Sequence, residues 1–531
     1  MTIASRLLAR AAKLPAATHK RIGIERDVPI PMSDGVVLLA TRLFPRDEPT
    51  APVVLMRSPY GRTGLLVASA RVWAERGYQV IIQSVRGTFG SGGQFVPFRN
   101  EHSDGHDTLD WIREQAWAGD KLATIGPSYL GHTQWAIADT GPGVIDAMSI
   151  TVSSTDFRRS VIYPWSLFAM DTALSWTALI HTQEKGLLRS LVRLVTLQPT
   201  LDRAFAVDPR EADEIVVGHP VEYYRDWIDH ESDDDWWQVI DHRLAGVSLA
   251  APIDLVGGWH DLFLPAQITD FLARQAAGRE TRLAIGPWKH TSSGMASVAT
   301  RRAFDLFEHR LKGKPHVGAG DPPVTMLLGG ADVTLHADTW PPKSVTEEWH
   351  LGTARSLDRV PSSEPGYDVT PIPLKAPPLD GGVSLNFKQS GQKKNTAREA
   401  SDGVISFTGP VLESDVAVVG DITVDLYVDG DLDELAVRIC DVDAKGISRN
   451  ISDSVRVMQP ATEPQLVSFE LWPTGQVFKA GHRLRLQVAS GLRPSVVPVK
   501  PRVAPSPGRM LRVWHGGDTP SALYLPVVEL P

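Results

Sequence analysis

Cysteine is nearly missing from this chain. Cys440 stands alone among 531 residues, so no intramolecular disulfide can form and no cysteine-based zinc site can be assembled. Its strand-like surroundings, Leu435-Ala436-Val437-Arg438-Ile439, mark the thiol as a small buried apolar group rather than a reactive one. Long apolar runs are missing too, and without about 18 consecutive apolar residues no segment reads as a membrane span. Basic residues form no stripe and the net charge is −8, which argues against nucleic acid as a partner. The first 21 residues contain no acid, but Leu7, Leu8 and Leu14 are too scattered for a signal-peptide core. Arg6, Arg10, Lys13, Lys20 and Arg21 mark this segment as a mobile or surface-docked basic helix, with a membrane-surface role as the alternative, and the expected location is cytoplasmic. There is no internal repeat and no low-complexity tract.

What is present is an alternation of strands and helices. Strand-like runs cover Val36 to Thr41, Val53 to Met56, Tyr78 to Val85, Leu122 to Ile125 and Ile145 to Ile150. Helical patterns lie between them at Leu65 to Arg76 and His106 to Gln115. The central runs are almost wholly apolar, as expected for a mostly parallel sheet covered by helices on both faces. The rhythm stops near Thr151 and resumes with Ile253 to Gly257, a helix from Leu262 to Gln275, and Arg282 to Ile285.

Five segments follow: a basic extension over 1–21, an α/β core over 22–150 and 248–315, a helical insertion over 151–247 and a β-sandwich over 324–531. Trp165, Leu167, Phe168, Leu174 and Trp176, then Leu187, Leu188, Leu191, Val192 and Val195, give the insertion its helical periodicity. It is expected to cap the sheet. Past a Gly/Pro-rich linker the period becomes two, with Ile422, Val424, Leu426 and Val428, then Leu484, Leu486 and Val488, alternating with polar residues. That pattern predicts an antiparallel sandwich of jelly-roll type.

The most informative turn is Ile125-Gly126-Pro127-Ser128-Tyr129-Leu130-Gly131. A strand runs into it and a helix leaves it, so a serine set among small residues can take a strained backbone and lift its hydroxyl clear of the sheet. In the usual Gly-x-Ser-x-Gly pattern the second glycine would stand at 130; here it comes one residue late. An activated serine also needs a base, and a carboxylate to orient that base. Asp261 follows one late strand through Gly258-Trp259-His260, and His290 follows the next through Gly286-Pro287-Trp288-Lys289. Ser128, Asp261 and His290 thus have the chain order and strand-end placement of a catalytic triad. His260 is a rival base. Gly87 to Gly93 contains several glycines but leads into the extended Gln94-Phe95-Val96-Pro97-Phe98, so it does not open a helix as a dinucleotide fingerprint must. The acidic run Glu231 to Asp235 lacks the glycine and terminal glutamate of a calcium loop.

Four passages carry a family resemblance: Arg57-Ser58-Pro59-Tyr60-Gly61-Arg62, Val85 to Gly93, Gly126 to Trp135, and Gly258-Trp259-His260-Asp261 with Gly286-Pro287-Trp288-Lys289-His290. The chain resembles the cocaine-esterase-like hydrolases, a group that includes X-Pro dipeptidyl-peptidases and α-amino-acid ester hydrolases. The resemblance implies an α/β-hydrolase domain with a helical cap insertion, followed by a C-terminal jelly-roll-like β-sandwich. It further implies an oxyanion hole formed by the Tyr60 hydroxyl and the Tyr129 N–H, and an acyl pocket lined by Trp165, Trp176, Phe263, Leu426 and Tyr427. No metal or organic cofactor is expected. The expected partner is a small acyl ester or a short peptide, and a homodimer is left open. His132, directly after the elbow, and Gly491-Leu492-Arg493-Pro494-Ser495 depart from the group's pattern. A catalytically silent jelly-roll binding protein is the rival of another class; intact Ser128, Asp261 and His290 argue against it.

Overall fold

The computed structural model describes residues 2–184, 187–318, 320–373, 381–386, 388–499 and 508–531, and the side chains of 187–195 lie outside that description. The expected contribution of Leu187, Leu188, Leu191, Val192 and Val195 to the cap falls in this stretch.

Ten strands form the first sheet: β1 (Ile22–Pro31), β2 (Val37–Pro45), β3 (Ala51–Ser58), β4 (Gln79–Ser84), β5 (Ala118–Pro127), β6 (Ala147–Thr151), β7 (Ile253–His260), β8 (Thr281–Lys289), β9 (Val324–Leu327) and β10 (Thr334–Ala337). Their spatial order is β1-β2-β4-β3-β5-β6-β7-β8-β9-β10. Pairing is parallel from β4 through β9 and antiparallel at both margins. The parallel strands are buried on both faces, which explains their unbroken apolar runs.

Helices α1 (Ile3–Ala11), α2 (Gly64–Ala74), α3 (Glu101–Arg113) and α4 (Tyr129–Trp135) belong to the first half. Five cap helices follow: α5 (Met170–Ile180), α6 (Leu187–Ala204), α7 (Ala212–Val217), α8 (Glu222–Asp229) and α9 (Arg243–Ser248). Then α10 (Leu264–Ala276) and α11 (Ser293–Lys312) complete the core, with Gly313 ending α11 in the left-handed region at φ 66°. The cap leaves after β6, and its two ends pair at Asp156 and Asp241.

Two boundaries differ from expectation. β1 was not expected; its mostly exposed pattern, with Glu25, Arg26 and Asp27 at its centre, carries little apolar signal. The sandwich does not begin at 324. β9 pairs with β8 and β10 with β9, so both extend the hydrolase sheet. Four-residue strands offer too few side chains for a period to show, but Val324 and Met326 are buried in the core of the first domain.

The second domain starts at Val345–Gly352 and is all-β. Ile422, Val424, Leu426, Val428, Leu484, Leu486 and Val488 fill its core, as their period-two spacing requires. It also reaches the carboxyl ends of the parallel strands of the first sheet. The Trp472 indole N–H donates to the Asp261 carbonyl at 3.1 Å, and Phe168 of the cap exchanges both backbone hydrogen bonds with Val497 at 2.9 Å.

Candidate active site

Ser128 lies between β5 and α4 with φ 58° and ψ −122°, a backbone region that costs a non-glycine residue on the order of 1–3 kcal/mol. Close packing on both sides holds it there. A Cβ at Gly126 would lie 2.3 Å from the Leu130 Cβ, and one at Gly131 would lie 2.4 Å from the Ser153 Cβ. The late second glycine is therefore the point where α4 presses onto the end of β6, while Leu130 is buried in the core under α2 and α11. The Ser128 N–H donates to the Thr151 carbonyl at 2.9 Å, which locks the turn to the neighbouring strand.

Tyr60 follows the end of β3, and its hydroxyl is close enough to the Ser128 side chain to interact with it. The Trp176 indole N–H donates to the same hydroxyl at 3.1 Å. Burial pushes the Tyr60 phenol up to about 12, so at neutral pH it keeps its proton and can donate it. Tyr129 is the first residue of α4, where a backbone N–H has no carbonyl of its own helix to bond. Its ring is fixed from behind: the hydroxyl donates to the Glu101 carboxylate at 2.8 Å and accepts the Phe98 N–H at 2.9 Å. Glu101 is buried and faces the Arg57 guanidinium at 2.9 Å.

Asp261 is fully buried after β7. One carboxylate oxygen accepts the Phe263 N–H at 2.9 Å, and the other lies 2.6 Å from the His290 Nδ1. A carboxylate can only accept, so Nδ1 carries the hydrogen and the neutral ring's lone pair is left on Nε2. Phe263 stacks on the His290 ring with 5.8 Å between centres. The rival base, His260, is placed within β7, and burial lowers it to about 4; the Asp261 carboxylate holds His290 instead.

With this geometry in place, comparison with known proteins is decisive. Residues 34–292 match the X-Pro dipeptidyl-peptidase (S15 family), and residues 315–510 match the X-Pro dipeptidyl-peptidase C-terminal non-catalytic domain. The catalytic region thus matches the S15 family, and the protein is a serine hydrolase. Among its relatives, the cocaine esterase of Rhodococcus sp. (strain MB1 Bresler) is 28% identical over 95% of this chain and 99% of its own length. A solved α-amino acid ester hydrolase shares the fold with a TM-score of 0.80 at 19% identity, covering 97% of this chain and 98% of its own. A CocE/NonD family hydrolase from Staphylococcus aureus does so at 0.72 and 17%, covering 98% of each chain.

The pocket over Ser128 is an aromatic box. Tyr60, Tyr129, Trp176 and Phe263 line it. Three expected residues do not. Leu426 is buried in the sandwich core because its period-two alternation turns it away from the hydrolase domain. Tyr427, on the opposite face of the same strand, pairs with Leu466 and Trp514. Trp165 packs on Trp472 at 4.8 Å, in a cluster behind the Asp261 loop rather than in the pocket.

The residues in their place are Phe98, His132, Phe157, Thr172, Trp227 and Leu385. Phe98 arrives on the segment after the glycine-rich turn and stacks on Tyr129 at 4.4 Å. Those glycines serve the turn itself: a Cβ at Gly87, whose φ is +71°, would lie 2.2 Å from the Phe95 nitrogen. His132 is 2% exposed and neither ring nitrogen meets hydrogen-bond geometry; burial holds it well below the usual histidine range, so it is neutral. Only His132 had a sequence signal, its place directly after the elbow. In the acidic run, Asp234 caps the turn at Trp236 and Asp233 pairs with Arg159. Among the described residues no helix is long and apolar enough to cross a membrane.

Proposed function

We propose that this serine hydrolase cleaves carboxylic esters through an acyl-enzyme, with Ser128 as nucleophile, His290 as base and acid, and Asp261 as the group that orients His290. The observation that carries this reading is the strained Ser128, with the Tyr60 hydroxyl close to its side chain and the Asp261–His290 pair at 2.6 Å. His290 Nε2 accepts the serine proton as Oγ attacks the acyl carbon, then returns it to the leaving alcohol. Water repeats the sequence and frees the acid. The Tyr60 hydroxyl and the Tyr129 N–H hold the oxyanion. Both donors are set by the surrounding structure before reaction, so little reorganisation opposes the charge as it forms.

The pocket favours an uncharged acyl group. None of the described residues lining it is acidic, and a substrate amine buried there would lack a carboxylate partner. Glu184, Glu222 and Asp226 line a neighbouring cleft between the glycine-rich turn and the cap, which Ser128 does not line. Steady-state rates on a panel of acyl esters and aminoacyl-proline amides test the reading. Turnover of neutral esters and loss of it in Ser128→Ala support it; faster cleavage of the proline amides would place the substrate amine in that second cleft and overturn it.

A further inference from the structure

Behind the elbow, the structure gathers imidazoles that the reaction does not use. His102 and His106 are four residues apart on α3, so both rings leave one face of the helix, with 4.6 Å between their centres. Opposite them is Asp139, four residues past the end of α4. One carboxylate oxygen lies 2.8 Å from the His102 Nε2, and the other 2.8 Å from the His106 Nε2. The three ligand atoms all fall within 4.8 Å of one another.

Ligands about 2.0–2.2 Å from a tetrahedral zinc ion stand roughly 3.3–3.5 Å apart, so the Asp139 carboxylate, which now gives a different oxygen to each ring, would turn to offer one oxygen to the ion, within the 4.8 Å that already holds the three ligand atoms. The side chains are 33–51% exposed, which leaves room for water at a fourth position. His242, the residue before α9, is buried beside them, close enough to feel the charges of His102 and Asp139. Its Nε2 has no hydrogen-bond partner, and burial keeps the ring uncharged, so it adds no repulsion to a cation.

We propose that His102, His106 and Asp139 bind one divalent transition-metal ion, zinc by the fit of the donors, as a clamp between α3 and the segment that continues the elbow helix. Two imidazoles with one carboxylate select zinc, nickel or copper over magnesium, which prefers an all-oxygen shell. Binding takes the proton-free Nε2 of each ring, so a proton there moves to Nδ1 or is released to solvent. The clamp would act next to the catalytic support. His102 adjoins Glu101, whose carboxylate accepts the Tyr129 hydroxyl, and Asp139 extends the segment that starts at Ser128. The expected role is structural: the ion ties together two elements that flank the nucleophile and raises the melting temperature.

The test uses the full chain without an affinity tag, stripped with chelator and desalted, then titrated calorimetrically with zinc chloride and, in parallel, with magnesium chloride. The expected result is one zinc per chain, no binding of magnesium, and a melting temperature raised by zinc. His102→Gln with His106→Gln should weaken zinc binding by about tenfold or more and abolish the thermal shift. Both side chains are at the surface, so circular dichroism and the melting temperature in the presence of chelator should match wild type and show that the variant is folded. Zinc binding only at roughly millimolar concentration, or wild-type affinity in the double variant, would overturn the proposal. This site stands apart from the reading of Ser128, and neither result bears on the triad.

Discussion

The proposed catalytic half and the proposed specificity half of this site are built by different rules. Ser128, Asp261, His290 and Tyr60 sit on short turns at the ends of parallel strands β5, β7, β8 and β3, where the sheet fixes them. The pocket wall is assembled from the extended segment at Phe98, the cap at Phe157, Thr172, Trp176 and Trp227, and the connecting segment at Leu385. The first half is set by backbone geometry, the second by side-chain packing among elements far apart in sequence. Substitutions in the first half should therefore remove rate, and those in the second should redistribute binding or stability.

The largest separation is expected from Ser128→Ala, which removes one hydroxyl from a turn held by its neighbours. Ester turnover should be abolished while circular dichroism and melting temperature stay near wild type. A loss of fold would mean that the elbow depends on its serine for stability, and the comparison would break.

Next comes Tyr60→Phe. The phenol is aimed at charge that exists fully only along the acylation and deacylation steps, so kcat should fall by about 10²–10³-fold with little change in KM. Phe keeps the ring packed edge-on against Tyr129 at 6.5 Å. Pre-steady-state rates on a chromogenic ester check this, and unchanged rates would reduce Tyr60 to a packing residue.

Two aromatic-pocket expectations can be set against each other. Leu426→Ala empties a fully buried site in the sandwich and should cost about 2–5 kcal/mol of stability, read by denaturant unfolding, with kcat/KM of the folded fraction unchanged. Trp176→Ala removes a pocket wall and the N–H that holds the Tyr60 hydroxyl, so kcat/KM should fall by about tenfold or more. If Leu426→Ala alters acyl preference, the sandwich shapes the pocket after all.

The smallest effect concerns pH. His132 is held neutral in the folded protein, while an unfolded histidine takes up a proton near pH 6.5. Acidification below that value thus favours the unfolded chain, and the stability His132 provides at neutral pH is lost as pH falls. His132→Val should lose fewer degrees of melting temperature than wild type between pH 7 and 5. Asp171, raised to about 6, and Asp270, raised to about 7, act in the opposite sense in both proteins and cancel in the comparison.

The same division explains what could be read from sequence. The parallel strands were legible because each is a short apolar run bounded by turns, and the Asp261–His290 contact because the proposed chemistry restricts both the residue types and their order. β1 and the β9–β10 pair were not, since edge strands carry too few buried residues to show a period. Leu426 was assigned to the pocket by resemblance, yet its own alternation with Val424 and Val428 already pointed into the sandwich core. Phe98, Trp227 and Leu385 meet only in three dimensions, and nothing in their local sequence marks them. His132 was visible as a departure from pattern, but its burial was not.

The proposed reaction turns on one covalent bond. Incubation with a fluorophosphonate probe, followed by digestion and mass spectrometry, should show a single adduct on the peptide containing Ser128. His290→Ala should form that adduct far more slowly, because the base is gone. An adduct on any other residue, or wild-type labelling of a folded Ser128→Ala protein, would contradict it.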